Sequence, residues 1–296
     1  MNYSPLRYPG GKSKLYNVVK SLITSCNEEI VTYVEPFAGG AGIALGLLMN
    51  NDVENIVIND INKGVYSFWK AVCESSDDLI KLIVETPVDM DNYRKQKALQ
   101  TKLKKENKYS VDYGFNTFYL NRANFSGILD AGPIGSYEQK GDYKLDARFN
   151  KDELISKIEK ISQKKKNIKV YNKDIISFND RYIPSHSNTF IYFDPPYYVK
   201  GQKLYTNFLQ PKDHQKIHDS IMNVNNPWLL TYDNVDEIAK IYEDKEAYEF
   251  NLSYTVNSLV NRKGTELMYA SNGITLDKIP ESVRTKINLK KRCIYE

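Results

Sequence analysis

The segment Phe190-Ile191-Tyr192-Phe193-Asp194-Pro195-Pro196-Tyr197-Tyr198 constrains the fold of this 296-residue chain more than any other. Its first four residues are apolar and aromatic, the composition of a strand buried on both faces. The strand must stop at Asp194, because the prolines that follow have no N–H to give to a ladder. The residue before a proline is also held extended. Asp194 is thus predicted at the stiff carboxyl end of a central strand, where open α/β sheets place their ligands. Pro195 offers a carbonyl beside that carboxylate, and Tyr197 offers a ring just beyond. Two acceptors next to a flat ring suit a planar base with an exocyclic amino group. A strand end capped by an aspartate before a Pro-Pro turn is the competing reading of the same residues.

Other segments predict the same α/β alternation. Val31-Thr32-Tyr33-Val34-Glu35 reads as a first buried strand, followed by the loop Pro36-Phe37-Ala38-Gly39-Gly40-Ala41-Gly42 and a helix from Ile43. Ile56-Val57-Ile58-Asn59-Asp60 reads as a second strand ending in an acid about 20 residues past the glycines, the spacing of a ribose-binding carboxylate. Together they favour an adenosine-containing cofactor, and the spacing does not separate a dinucleotide from S-adenosylmethionine. Alternation resumes at Ile168-Lys169-Val170-Tyr171 and Asp174. It continues through the Asp194 strand, a helix over 213–224 and Pro227-Trp228-Leu229-Leu230-Thr231-Tyr232. Leu252 to Leu259 and Glu266 to Ala270 are predicted to form a hairpin around Asn261-Arg262-Lys263-Gly264.

Between Ile61 and Ile168 the pattern changes. One helical run is predicted from Val65 to Val84, and then a basic, helical stretch carries Arg94, Lys95, Lys97, Lys102, Lys104, Lys105 and Lys108. Phe115 to Gly127 is aromatic and includes Asn121, Arg122 and Asn124, and a Gly/Tyr/Lys-rich loop runs from Ala131 to Lys144. Taken alone the lysines are better explained as a solvated helix face, but basic, aromatic and glycine-rich segments side by side suggest a nucleic-acid surface. The region 62–167 is therefore read as an inserted domain, and 1–61 with 168–296 as the catalytic one.

Several classes are set aside. Gly11-Lys12-Ser13 matches the end of a phosphate-binding loop motif, but its first glycine falls on Leu6 and no strand precedes it. Lys12 stands near a helix start, where the dipole does not favour a cation, and a functional role is expected for it. His214 and His218 lack the further ligands of a metal site and read as a solvated helix face. No apolar run approaches the ~20 residues of a membrane span. Cys26, Cys73 and Cys293 are too few and too widely spaced for a disulfide framework, so a reducing cytoplasm is expected. Net charge is only +4, so clustering matters more than the total.

Taken in order, Tyr8-Pro9-Gly10-Gly11-Lys12, Glu35-Pro36-Phe37-Ala38-Gly39-Gly40, Asp60-Ile61-Asn62, Leu120-Asn121-Arg122 and Asp194-Pro195-Pro196-Tyr197 resemble the Dam-type DNA adenine methyltransferases. The resemblance covers nearly the whole chain. It implies a Rossmann-like methyltransferase sheet with an inserted, mostly helical target-recognition domain. It also implies S-adenosylmethionine as cofactor and double-stranded DNA as substrate, with no metal. A restriction–modification, orphan or phage setting follows, with room for a cognate restriction endonuclease acting separately. Asp194, Pro195 and Tyr197 are implicated in catalysis, with Tyr197 stacking on a flipped adenine. Tyr8, Lys12, Glu35, Phe37, Gly39, Asp60, Ile61, Asp174 and Asp194 are assigned to cofactor contacts. Arg122, Asn121 and Asn124 are assigned to base edges, and Arg94, Lys95, Lys102 and Lys105 to phosphates. Pro9 and Ala41 depart from the family pattern, and Ile128 to Pro133 does not match the recognition segment of GATC-specific members. Methylation of cytosine, RNA or a protein amide, or a silent DNA-binding protein of the same fold, are the competing functions.

Overall fold

The computed structural model describes residues 3–8, 12, 15–183, 188–198, 209–253, 263–276 and 284–287. In chain order the elements begin α1 (Tyr16–Thr24), β1 (Thr32–Glu35), α2 (Gly42–Met49) and β2 (Asn55–Asn59). Five helices follow: α3 (Lys63–Glu74), α4 (Ser76–Glu85), α5 (Met90–Glu106), α6 (Val111–Ala123) and α7 (Lys151–Gln163). The chain then returns to β3 (Ile168–Tyr171), α8 (Ile175–Arg181), β4 (Thr189–Phe193), α9 (Pro211–Met222), β5 (Trp228–Asp233) and α10 (Asp236–Ile241). It closes with β6 (Ala247–Ser253), β7 (Lys263–Ala270) and β8 (Arg284–Ile287). Two compact units make up the chain. One comprises Met1–Ser13, Ala38–Asn50 and Asn55–Lys173; the other comprises Lys14–Phe37, Asn51–Glu54 and Asp174–Glu296.

In the second unit the strand order is β1-β4-β5-β7-β6-β8. β4 pairs in parallel with β1 on one side and β5 on the other. Parallel strands covered on both faces need apolar residues at nearly every position, and all five residues of β4 are buried. β5 pairs antiparallel with β7, which pairs antiparallel with β6. β6 and β7 form an antiparallel pair, but β6 begins at Ala247 rather than Leu252, Lys263 and Gly264 belong to β7 rather than to the turn, and residues 254–259 of the expected first strand lie outside the described residues. The expected turn residues Asn261 and Arg262 lie outside the described residues, as do Pro9, Gly10, Gly11, Ser13, Cys293 and residues 199–208.

In the first unit β2 and β3 form a parallel pair, and the rest is helical. α2 is apolar on all sides and Ile43 through Leu48 are all buried, as befits a helix inside a core. The single run predicted from Val65 to Val84 is two helices, α3 and α4, broken at Ser75, whose extended φ of −146° ends one and begins the other. Side chains cap the next turns: Asn62 accepts from Gly64 N and Val65 N, Asp89 from Asn92 N, and Ser110 from Tyr113 N. The core of this unit is the crossing of α3 and α6, where Phe68 stacks on Phe118 at 5.6 Å.

That crossing depends on two glycines. A Cβ on Gly114 would lie 2.7 Å from the Ser67 carbonyl oxygen, and one on Gly64 would run into Thr117 Oγ1. The approach at Gly114 is backbone against backbone, with no side chain to rotate away. Alanine normally stabilises a helix interior relative to glycine by about 1 kcal/mol. Gly114→Ala is expected to do the opposite and lower unfolding free energy by ~1–3 kcal/mol through overpacking. Urea denaturation gives the sign, and a stabilised variant would contradict the close crossing.

Candidate active site

One group of predicted residues surrounds the loop after β1. Asp60 follows β2, and its carboxylate accepts from two backbone groups, Asn62 N at 2.8 Å and Gly39 N at 2.9 Å. The Gly39 carbonyl accepts from Trp69 Nε1 at 2.9 Å, so this residue is held at both its N–H and its C=O. Gly39 has φ +46°, and a Cβ there would sit 2.7 Å from the Tyr8 ring, so only glycine fits. Tyr8 thus covers the loop, and Lys12 is buried within the same unit. Burial raises the Asp60 carboxyl to about 6, against the opposing pull of its two backbone hydrogen bonds. Ile61, next in the chain, is 52% exposed. Trp69, Asn59 and Asn172 had no signal in the sequence. Asn59 pairs with the Lys173 backbone in both directions, and the Asn172 amide donates to the Asp60 and Ile61 carbonyls.

A second group lies where β4 ends. Asp194 Oδ1 accepts from Thr231 Oγ1 at 3.0 Å, and Thr231 Oγ1 lies 2.7 Å from the Tyr192 hydroxyl. The Tyr197 hydroxyl donates to Glu266 Oε1 at 2.5 Å. The Tyr198 N–H donates to Asp233 Oδ1 at 2.9 Å. Thr231 and Asp233 alternate on β5, and Asp233 stands opposite Glu266 of β7, so all three point to one face. Three residues of neighbouring strands therefore hold three features of the Asp-Pro-Pro-Tyr-Tyr turn. None of them was predicted; polar residues alternating in an otherwise apolar β5 were the available signal. The Tyr197 ring, expected to present a stacking face, is only 5% exposed here. Glu35 is also buried, accepting from Tyr33 at 3.2 Å. Phe37 is half-buried in this unit. Asp174 caps α8 by accepting from Ser177 N, which lowers its pKa. His214 is not on a solvated face: it is buried, with Nδ1 2.6 Å from the Tyr232 hydroxyl, and burial lowers its pKa. Among the described residues no group of three His, Cys, Asp or Glu side chains could hold a metal ion, and no helix is long and apolar enough to cross a membrane.

The residues assigned to DNA separate into two kinds. Asn121 is buried, with its side chain accepting from Arg7 N and donating to the Arg7 and Gly127 carbonyls. Asn124 is buried, donating to the Ile128 and Leu129 carbonyls and accepting from the Tyr93 hydroxyl. These two amides scaffold the segments around them, and neither reaches outward in this structure. Arg122 donates to the Arg148 carbonyl at 2.6 Å and is drawn down to about 10, first by burial and then by Arg7, with Arg148 adding to the effect. Arg7, Arg122 and Arg148 thus form a cationic group. α5 sorts its basic residues by face. Lys97 donates to the Leu129 and Ala131 carbonyls, and Lys104 pairs with Asp130 at 2.5 Å. Arg94, Lys95, Lys102 and Lys105 are exposed.

An α/β chain with a glycine loop answered by an acid on the next strand, and an Asp-Pro-Pro-Tyr turn after a central strand, has the layout of a methyltransferase. The model of one family, described as D12 class N6 adenine-specific DNA methyltransferase, matches residues 8–256. The chain belongs to that family and is an adenine-specific DNA methyltransferase. It is similar to a protein of Methanocaldococcus jannaschii named type II methyltransferase M.MjaIII, with 26% identity over 88% of this chain and 93% of the relative. Among solved structures, the rRNA methyltransferase AviRa of Streptomyces viridochromogenes aligns at 10% identity and a TM-score of 0.37, over 89% of this chain and 85% of that one. That likeness is too slight to bear on the site.

The raised Asp60 carboxyl has a consequence for stability. Its folded value of about 6 exceeds its ordinary 3.8, so between these pH values the folded chain holds a proton that the unfolded chain has lost. The stabilising contribution is full below pH 3.8 and is lost as pH rises through about 6. Thermal midpoints of wild type and Asp60→Asn, followed across that window, should diverge with this sign. Parallel curves would place the Asp60 titration elsewhere.

Proposed function

We propose that the chain transfers a methyl group from S-adenosylmethionine to the 6-amino nitrogen of an adenine turned out of double-stranded DNA. Asp194 and the Pro195 carbonyl accept the amino hydrogens in this reading. The observation that carries it is the Asp194 carboxylate held at the end of β4 by Thr231, beside a turn fixed by Asp233 and Glu266. Residues 1–61 and 168–296 form the catalytic domain in this proposal, and the helical region 62–167 selects the target. The name of the M. jannaschii relative supports a modification role within a restriction–modification pair.

The residues near Gly39 fit the adenosine part of S-adenosylmethionine. Gly39 has no side chain to bar close approach to its backbone, the Asp60 carboxylate has acceptor capacity for hydroxyls, and exposed Ile61 offers an apolar face to a purine. When bound, the cofactor supplies an electrophilic methyl group on a positively charged sulfur.

The adenine 6-amino nitrogen is a weak nucleophile, because its lone pair is spread into the ring. Acceptance of its two hydrogens by Asp194 and Pro195 turns that lone pair out of conjugation and stabilises charge developing on nitrogen. Such bonds count for more in a dry, preorganised setting than in water. Extrusion of the base costs a few kcal/mol, which phosphate contacts offset. The exposed Arg94, Lys95, Lys102 and Lys105 suit phosphates, and Arg122, grouped with Arg7 and Arg148, is the residue proposed for base edges. Tyr197, tied by its hydroxyl, acts as a rigid wall of the turn.

Asp194→Ala is expected to reduce labelled methyl transfer to adenine-containing DNA by about a hundredfold or more, with cofactor affinity changed far less. Near-normal turnover would remove Asp194 from the reaction. Neutralising Arg94, Lys95, Lys102 and Lys105 together is expected to weaken binding to every DNA sequence. It should flatten the dependence on salt, by up to ~0.9 in slope for each phosphate no longer engaged. Titrations at several salt concentrations test this; an unchanged slope with altered sequence choice would reverse the assignment.

A further inference from the structure

Thr231 lies between two oxygens of opposite requirement. Its Oγ1 is 3.0 Å from Asp194 Oδ1 and 2.7 Å from the Tyr192 hydroxyl. A carboxylate only accepts, and a threonine hydroxyl has one hydrogen to give. That hydrogen goes to Asp194, so the Tyr192 O–H must donate to Thr231. The chain of donors runs in one direction, from Tyr192 through Thr231 to the carboxylate. Tyr192 keeps its proton, because burial first, and the nearby Asp194 charge second, hold its pKa well above the ordinary value. Thr231 and Tyr192 are both buried, so the bond between them is shielded from bulk water, and the bond to the half-buried Asp194 is shielded on the Thr231 side.

We propose that Thr231, itself held by Tyr192, is a positioning residue for the methyl transfer. Through a directed hydrogen-bond relay it fixes the Asp194 carboxylate in the orientation that receives the adenine amino group. The proposal rests on the reading of Asp194 as that acceptor and adds to it the residues that aim the carboxylate. The backbone alone does not do so. Pro195 fixes the main chain around Asp194 and leaves the rotation of the side chain open. A bond from a neighbouring strand removes that freedom. The polar groups within electrostatic reach of Asp194 include Tyr33 on β1, Tyr192 on β4 and Tyr232 on β5, while Glu35 and Glu266 also act on Tyr192. Thr231 differs from these tyrosines in donating directly to Oδ1.

Thr231→Val keeps the branched shape and deletes the donor. It is expected to lower kcat by about ten- to hundredfold, the span of a hydrogen bond to a charged group, while KM for S-adenosylmethionine stays nearly constant. Loss of a donor to a carboxylate raises its pKa, so the acid limb of kcat should move to higher pH. Thr231→Ser restores the hydroxyl and should recover most of kcat and the original limb. The valine variant also leaves the Tyr192 hydroxyl without its partner, which lowers stability. The double variant Tyr192→Phe with Thr231→Val removes that orphan and should regain stability without regaining kcat. If Thr231→Val does not fold, Tyr192→Phe tests the same relay one step back, with a smaller loss and a limb shift of the same sign. A folded Thr231→Val with normal kcat and an unmoved acid limb overturns the proposal, as does a Thr231→Ser variant as slow as the valine. In the fallback, a normal kcat and limb in Tyr192→Phe overturns it. Asp194→Ala, assayed alongside, separates the two levels. If it is inactive while Thr231→Val is normal, only the relay fails; if it is active, the reading of Asp194 fails.

Discussion

A single carboxylate that accepts from two loops holds the first unit in a usable shape. Asp60 joins the turn after β2, through Asn62 N, to the glycine loop, through Gly39 N. Trp69 Nε1, which donates to the Gly39 carbonyl, and the Ala38 N–H, which donates to the Asn59 carbonyl, complete the hold on this loop. Gly39 and Ala41 both sit at positive φ, and α2 begins without a side-chain cap. Burial makes the ionised carboxylate costly, and the two N–H donors offset part of that cost. Two residues further on, Asn62 caps α3. One short stretch therefore sets the loop, the end of the strand and the start of the helix together.

The second unit solves a related problem in another way. A parallel strand buried on both faces has little room for polar side chains, and β4 carries no acid until it ends. The turn that follows is fixed by polar residues on the next strands, Thr231 and Asp233 of β5 and Glu266 of β7. Burying acids so close together is unfavourable unless each has a donor. Here each has one: a threonine hydroxyl for Asp194, a backbone N–H for Asp233 and a tyrosine hydroxyl for Glu266. Rigid strands carry the donors and acceptors, so the turn inherits the precision of the sheet.

The parts of this arrangement that were legible in sequence are those that local chemistry dictates. A run of buried residues stopped by Asp194-Pro195-Pro196, a glycine loop after a strand, and an acid at the end of the next strand each leave a mark within a few residues. The mixed α/β fold and the family followed from them. The partners of those residues were not legible. Thr231 and Glu266 are 37 and 69 residues from the groups they hold, and only strand pairing brings them together. The same holds for Asn121 and Asn124. Their side chains are equally suited to base edges and to backbone carbonyls, and only burial shows that they are spent on Arg7, Gly127, Ile128 and Leu129. The break at Ser75 was invisible to periodicity, because α3 and α4 both carry an apolar stripe.

The close crossing of α3 and α6 has a mechanical meaning. Most helix pairs meet through a layer of side chains that can rotate and absorb a small shift. Where Gly114 meets Ser67 there is no such layer, because a Cβ would run straight into main chain. α3 starts at the cap formed by Asn62, two residues beyond Asp60, and α6 carries near its end Asn121, whose amide grips the Arg7 backbone. Asp60, the two helices and the Arg7 segment consequently form one stiff train. At that crossing there is no side-chain layer to take up a shift of α3 against α6, and both helices run from fixed points, the Asn62 cap and the Arg7 backbone.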